Sequence, residues 1–356
     1  MGFIDEYTME QLRGNAYTSK DDLLISLKFT SHVWETLNYD LNAFEPLEKS
    51  KQIPKFINTV FSHYAHSANC SIAENEDRYT EKAKELFEIK DESDIRPYLK
   101  FFVFSFTPTD DNEKYPKTIR IYSDAINILY NTDNDRYYDK KSDYIEAVIN
   151  EYVALPMYER EKIYFKDKYE KISTAIEEKL KVNITFHSDS GSVKYSVCPY
   201  LWATDKGTNY NYLICSARND TENIPLRSFR LHLIEKVEPT NEPFECSKKQ
   251  INNYEKAIDR LGAPYAMGIN DPEITVKLTE LGYKHYETWN NQRPKFKKKE
   301  KDNNSIILTF NCSKRQIRNY FYKFGKDAEI LEPDDLRQQF LTDYKEALET
   351  YEKNEQ

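Results

Sequence analysis

Glycine is scarce in this chain, with eight in 356 residues. Neither G-x-G-x-x-G nor a phosphate-loop motif is present, which excludes the glycine-rich turns that cradle nucleotide phosphates. Cysteine is scarcer still. Cys70, Cys198, Cys215, Cys246 and Cys312 are scattered with no C-x-x-C pair, which argues against a disulfide frame or a zinc site and for a reducing cytosol. No apolar run approaches the length of a membrane span, and the N-terminus lacks a signal-peptide pattern. Met1-Gly2 is followed by Glu6 where a myristoylation motif needs Ser or Thr. A cytoplasmic chain with no membrane partner is expected. Positive charge is in deficit: 51 Lys and Arg stand against 60 Asp and Glu, a net charge of −9. Any nucleic-acid site must therefore be a local patch.

Catalytic patterns are equally sparse. No G-x-S-x-G or H-E-x-x-H appears. His63 and His66 lie i, i+3 with no third ligand near in sequence. The acidic pairs Asp21-Asp22 and Asp334-Asp335 sit at element starts, where capping accounts for them. The expectation is a non-enzyme with no catalytic residue, no metal and no cofactor.

What the chain does have is aromatic surface: 28 Tyr and 19 Phe. These supply core volume and also faces on which bases can stack. At 39% hydrophobic and 31% charged, it reads as a globular α+β chain long enough for two or three domains. Its organising stretch is Val193–Val237. Val193, Tyr195 and Val197 alternate with Lys194 and Ser196. Asp205-Lys206-Gly207 reads as a hairpin turn with Gly207 at the positive φ. Tyr210, Tyr212, Ile214 and Ser216 oppose Asn211, Leu213 and Cys215. Arg227, Phe229, Leu231 and Leu233 alternate with Ser228, Arg230 and His232. So many short strands in so few residues predict a small closed barrel of the SH3 or Sm type, begun by Val182–Phe186.

These residues resemble the WYL domain. The pieces are Val197–Leu201 in variant form, Gly207 with Tyr212-Leu213, and Arg227-Ser228-Phe229-Arg230-Leu231 with Ile234 and Val237. The namesake triplet stands as Asn211-Tyr212-Leu213, so its Trp is lost. The Asp and Arg usual after F-R-L are His232 and Leu233, so roles tied to those three residues do not carry over. The run Gly325–Arg337 resembles the C-terminal extension that often follows WYL domains, a small α/β unit that helps to dimerise its relatives.

Before the barrel, one layout occurs twice. Leu23–Phe29 is a strand, Thr30-Ser31 caps a helix over His32–Phe44, and Ser50 caps another over Lys51–His66. Lys117–Tyr122 is a strand, Ser123 caps a helix over Asp124–Tyr130, and Ser142 caps another over Asp143–Leu155. This resembles ribbon-helix-helix units, whose outward ribbon residues enter the DNA major groove. Two copies in one chain, over 21–67 and 115–156, suggest an internal pseudo-dimer. The ribbon's candidates for DNA contact are Ser26, Lys28, Thr118, Arg120 and Tyr122, with phosphate sites at Ser50 and Ser142. A scaffolding role competes, because the ribbon carries little charge. The apolar insert 95–106 reads as a buried strand or an exposed partner surface. The expected domains are 1–158, a helical connector over 159–180, the WYL barrel over 181–245 and the α/β extension over 246–356. That extension is expected to run strand (Ile274–Leu278), a Tyr/Trp-rich continuation to Trp289, a basic loop at 293–299, strand, helix, strand and helix.

The barrel offers the best binding site. Candidates for RNA contact are His187, Ser188, Tyr195, Tyr200, Tyr210, Tyr212, Arg218, Arg227, Arg230 and His232. Alternation puts Phe229 in the core and favours Arg230 and His232 as ligand contacts, with Arg227 second. Core filling competes for each aromatic. A second, basic patch comprises Arg293, Lys295, Lys297, Lys298, Lys314, Arg315 and Arg318, which fits a phosphate rail or a solvated hairpin tip. The whole combination resembles the accessory WYL proteins of type VI-D CRISPR systems. The resemblance implies a homodimer, joined through its C-terminal domain, that binds single-stranded RNA and stimulates an RNA-guided RNA nuclease. The alternative is a transcriptional regulator that binds duplex DNA through the ribbon and senses a nucleic-acid ligand through the barrel.

Overall fold

A computed structural model of the chain describes residues 23–46, 52–87, 114–131, 140–188, 191–205 and 207–352. The chain divides into two compact units between Lys166 and Asp167. Both mix helices with antiparallel sheets. No described helix is long and apolar enough to cross a membrane.

The first unit contains β1 (Leu23–Thr30), α1 (Ser31–Phe44), α2 (Ile53–Phe87), β2 (Lys114–Ile121), α3 (Ser123–Asn131), α4 (Lys141–Ala154) and α5 (Met157–Tyr164). The two strands pair antiparallel with Ser26 opposite Thr118. Period-two alternation sends Leu27, Phe29, Ile119 and Ile121 into the core. Leu24, Ser26, Lys28, Pro116, Thr118 and Arg120 remain exposed. The buried stripe of α2 (Phe56, Ile57, Val60, Phe61) has the spacing of the α4 stripe (Tyr144, Ile145, Val148, Ile149). Each helix also ties down one ribbon edge. Lys28 N–H donates to Glu146 Oε1 at 2.7 Å, and Tyr122 N–H donates to Asn58 Oδ1 at 2.8 Å. Tyr122 is thus past the strand end and half-buried rather than on the outward face. Ser142 is not a cap either: α4 begins at Lys141, and the Ser142 hydroxyl donates to Asp143 at 3.2 Å. Ser50 and the insert 95–106 lie outside the described residues.

Asp40 of α1 is fully buried. Arg160 of α5 clamps it with two hydrogen bonds, at 2.6 and 2.9 Å, and Tyr152 of α4 donates a third at 2.9 Å. The remaining guanidinium donors reach the Leu155 and Val153 carbonyls at the end of α4. Burial and the neighbouring Asp40 carboxylate hold the Tyr152 phenol well above its ordinary range, so it stays a donor.

The single connector helix expected over 159–180 is two helices, α5 and α6 (Lys166–Glu178), broken at Phe165. In the second unit, α6 covers one face of a five-stranded antiparallel sheet. Its strands are β3 (Leu180–Ser188), β4 (Gly191–Asp205), β5 (Tyr210–Arg218), β6 (Asn223–Arg230) and β7 (Ile234–Pro243), in the order β6-β5-β4-β3-β7. In the β4–β5 turn it is Asn209, not Gly207, that takes the positive φ, +61°. Asn tolerates the left-handed region, and Asp205 braces the turn by accepting the Thr208 N–H at 2.8 Å. A 3-10 turn over Leu231–Leu233 links β6 to β7, so His232 does not continue the alternation of Arg230.

Strand β5 is buried on both faces. Leu213, Cys215 and Ala217 join the core under α6 with Phe229, Val197 and Ile184. Tyr212 and Ile214 face a second layer, where Ala263 and Ala266 of a 3-10 segment (Ala263–Asn270) pack. That segment follows α7 (Lys248–Leu261), which Ser247 and Gln250 start with a capping box.

Beyond it come β8 (Ile274–Thr279), α8 (Glu280–Thr288), β9 (Phe296–Asp302), β10 (Ser305–Phe310), α9 (Lys314–Phe321), β11 (Ala328–Glu332) and α10 (Asp334–Glu352). The β-α-β-β-α-β order with strands arranged β11-β8-β10-β9 is ferredoxin-like. The expected aromatic continuation of β8 is the helix α8, with Thr279 as its N-cap. The expected basic loop holds only over 293–295; from Phe296 on it is the edge strand β9, turned into β10 at Asn303, φ +50°.

Replacing Arg160 with Leu leaves a buried carboxylate uncompensated, and we expect a loss of about 3–5 kcal/mol of stability. The double substitution Asp40→Leu/Arg160→Leu should recover most of it. Urea unfolding followed by circular dichroism tests both. A single variant within about 0.5 kcal/mol of the parent contradicts the assignment.

Candidate functional site

A cleft of about 870 Å³ opens in the second unit, between the β6 edge of the sheet and the C-terminal α/β portion. One wall comprises Phe186, His187 and Ser188 at the end of β3 with Ile224–Ser228 and Arg230 of β6. The other is built from Pro264, Tyr265 and Met267–Asp271, with Gln292, Ser313, Lys314, Arg315 and Asn319.

Position on an edge strand explains why both β6 arginines reach this cleft although they lie on opposite faces of the sheet. Arg227 shares the face of Phe229. Its guanidinium lies 4.8 Å from the Tyr195 ring centre and 4.9 Å from that of Phe229, and it bonds Glu222 at 3.3 Å. This resolves how an arginine can follow a core face: the strand has reached the rim, and aromatic rings rather than aliphatic packing receive the cation. Arg230 takes the other face. Its Nε–H donates to the Tyr212 hydroxyl at 3.0 Å, and its guanidinium stands 5.1 Å from the Tyr210 ring. The Tyr212 hydroxyl also shares a hydrogen bond with the Thr208 hydroxyl, 3.1 Å away. Burial raises the Tyr212 phenol above its usual range, against the opposing pull of Thr208 and Arg230.

His187 completes this wall. Its Nδ1 lies 3.1 Å from Glu235, which also accepts the Ser192 hydroxyl at 2.8 Å. Ser188 donates to the Gly191 carbonyl at 2.7 Å. His232 sits against Tyr210, 4.6 Å between ring centres, on the 3-10 turn and outside the cleft lining.

The aromatics are not the stacking platform expected of them. Tyr195 and Tyr212 are 5% and 2% exposed, so they are core. Tyr200 packs on Tyr254 and Phe244 away from the cleft, and burial pushes its phenol up to about 12. Tyr210 supports Arg230 and His232. Arg218 is exposed at the far end of β5. Burial raises the Cys215 thiol as well, in keeping with its place in the core.

The basic rail also disperses. Arg293 turns onto the last carbonyls of α8, Tyr286 and Glu287, at 3.1 and 2.9 Å, a helix C-terminal role. Lys297 pairs with Glu273, Lys298 with Glu300, and Arg318 with Asp343. Lys295 does not line the cleft, but Lys314 and Arg315 do. The missing half of the site was thus 264–271 with Gln292 and Asn319. These come from a 3-10 segment, a turn and α9, and only folding brings them opposite β6.

Two features set the cleft's width. Gly268 lies so close to Ser313 that an added Cβ would stand 2.2 Å from the Ser313 Cβ. Asp271 accepts the Lys314 N–H at 2.8 Å, while Ser313 caps α9 through the Gln316 N–H at 3.0 Å.

The WYL domain family model matches residues 167–239, and the WCX domain family model matches residues 270–348. The chain carries a WYL domain and a WCX domain. The cleft lies between them. One solved structure, described as a CRISPR Cas-related protein, aligns with a TM-score of 0.63 and 21% identity, covering 95% of this chain and 96% of that one. At that identity the likeness is one of fold. A second, proteasome accessory factor B/C (PafBC) of Arthrobacter aurescens, is 14% identical over 73% of this chain and 43% of that one; its TM-score is 0.25, too low to compare arrangements. No curated protein matches.

Gly268→Ala should strain the WYL–WCX junction, because the atoms in the way are a backbone Cα and a short side chain. We expect about 1–3 kcal/mol of destabilisation, read by urea unfolding, with faster amide exchange in the 264–271 loop. Unchanged stability and exchange would show that the junction is not tight.

Proposed function

We propose that this chain binds single-stranded RNA in the WYL–WCX cleft as a non-enzymatic accessory protein of an RNA-guided CRISPR RNA nuclease, stimulating it. The observation that carries the reading is the opposition of Arg227 and Arg230 on one wall to Lys314 and Arg315 on the other, in a chain whose net charge is −9. Guanidinium groups held over aromatic rings present their planar donor forks to phosphate at little entropic cost. Fold likeness to a CRISPR Cas-related protein over nearly the full length supports the setting. In this reading the five-stranded sheet curls as a small Sm-like barrel, the WCX domain pairs two copies, the protein works in the cytoplasm, and the nuclease is of the type VI-D kind.

A second reading has its own observation. The exposed ribbon face places Lys28 and Arg120 about Ser26 and Thr118, and helices follow both strands, as in ribbon-helix-helix proteins that read duplex DNA. There the chain is a transcriptional regulator.

Titration of labelled single-stranded RNA and duplex DNA across a salt series separates them. Under the first reading Arg227→Ala/Arg230→Ala weakens RNA binding about tenfold or more. It also reduces the log–log salt slope by about 1.4, roughly 0.7 for each phosphate no longer neutralised. Lys28→Ala/Arg120→Ala leaves RNA binding unchanged. Duplex binding that disappears in the ribbon variant alone would establish the second reading instead.

A further inference from the structure

The two cleft walls differ in chemistry, and the difference assigns them different halves of a nucleotide. On the sheet wall the cations are arginines fixed on rings, and no carboxylate lines it. The WCX-side wall carries three amides, Asn270, Gln292 and Asn319, together with Arg315 and Lys314. It also carries Asp271, the cleft's one carboxylate among the described residues.

We infer that the WCX-side wall is a base-reading site, and that Arg315, Asn270 and Asn319 determine which base of a single-stranded RNA is held there. Phosphate oxygens only accept hydrogen bonds, so the carbonyl of an amide has nothing to offer them. A base edge presents donors and acceptors side by side, which an amide matches. Asp271 repels phosphate from this wall, and Lys314 is already paired with Asp335 at 2.5 Å. Arg315 has no carboxylate partner among the described residues, and neither Asn270 nor Asn319 makes a side-chain hydrogen bond there. Gln292 is partly committed: its Oε1 accepts the Tyr265 hydroxyl at 2.9 Å, which leaves its amide N–H donors uncommitted by that bond. Its backbone holds φ +54°, a strained value for a residue with a Cβ, of the sort that collects at binding sites. The volume, about 870 Å³, is that of a pocket for a short stretch rather than a long groove.

Arginine matches the guanine O6/N7 edge in a bidentate manner, and Asn or Gln matches adenine N6/N7. The site therefore favours a purine. This inference rests on the RNA-binding reading and adds base preference to it.

The test uses the full chain and a set of oligouridylates, each of about a dozen nucleotides, with one central U, C, A or G. The expected result is that a central purine binds about tenfold more tightly than U. Asn270→Ala/Asn319→Ala should cut that preference to about twofold or less while leaving the affinity for the all-U strand within about twofold, and adding Arg315→Gln should remove what remains of the preference while weakening all four strands through the lost cation. Arg227→Ala/Arg230→Ala should weaken all four strands alike. Equal binding of the four strands by the parent protein, or a purine preference that survives in the triple variant, overturns the inference and leaves RNA binding intact. Binding of none of them by the parent overturns the RNA-binding reading, and this inference with it. The three substituted residues are exposed, so folding should be unaffected; circular dichroism of the variant checks it.

Discussion

The cleft exists at its width because Gly268 lies against Ser313 with no room for a methyl group. That approach seats the 3-10 segment 263–270 between two domains. Ala263 and Ala266 fill the face of β5 on one side. On the other, Asp271 and Ser313 satisfy the first N–H groups of α9, donors that a helix start otherwise leaves unpaired. Ser228 of β6 adds a hydrogen bond to the Ala263 carbonyl at 2.7 Å. Everything that faces Arg227 and Arg230 is positioned through this one tight strip, so the site is a property of the junction and of neither domain alone.

The arginines are equally constrained. A guanidinium on an exposed edge strand would ordinarily lose much rotamer freedom on binding an anion. Here the guanidinium groups lie over the rings of Tyr195, Phe229 and Tyr210, and Glu222 and the Tyr212 hydroxyl hydrogen-bond them. The buried tyrosines thus act on the site through the arginines. Loss of the namesake Trp, replaced by Asn211, fits this packing: Asn211 is fully buried and accepts the Thr204 hydroxyl at 2.9 Å, leaving the adjacent Tyr212 to support Arg230.

Much of this was legible in the sequence, for identifiable reasons. Alternation at 193–218 and the R-S-F-R-L run mark strands whose inward and outward sets differ sharply, and the WYL likeness followed from them. The doubled strand-helix-helix layout was visible because strand alternation and apolar stripes recur. What misled was anything decided by a second layer. Tyr195 and Tyr212 stood as candidate RNA contacts against core filling because nothing local announces that α6 and residues 263–266 cover the two faces of the sheet. His232 read as strand because a 3-10 turn of three residues leaves no periodic trace. The stretch 293–299 read as a loop because its lysines mask a strand whose real signal is the Asp302-Asn303-Asn304 turn. Of the far wall only Lys314 and Arg315 were read from the sequence; its other residues come from segments up to about fifty positions apart joined only by folding.

The acidic balance of the chain has a local logic. Among the cations outside the cleft, Lys297, Lys298 and Arg318 each face a carboxylate, and Arg293 is spent on helix carbonyls. Within it, Arg227 and Lys314 are partly neutralised by Glu222 and Asp335. Arg230 and Arg315, one on each wall, have no carboxylate partner among the described residues. A polyanion approaching a surface with a net charge of −9 is repelled broadly, since screened charges still sum over about 8–10 Å. It finds uncompensated positive charge where two walls converge on a low-dielectric concavity that concentrates the field. Neutralising the outlying cations therefore leaves the excess positive charge in the cleft, which is where the proposed reading places the RNA strand.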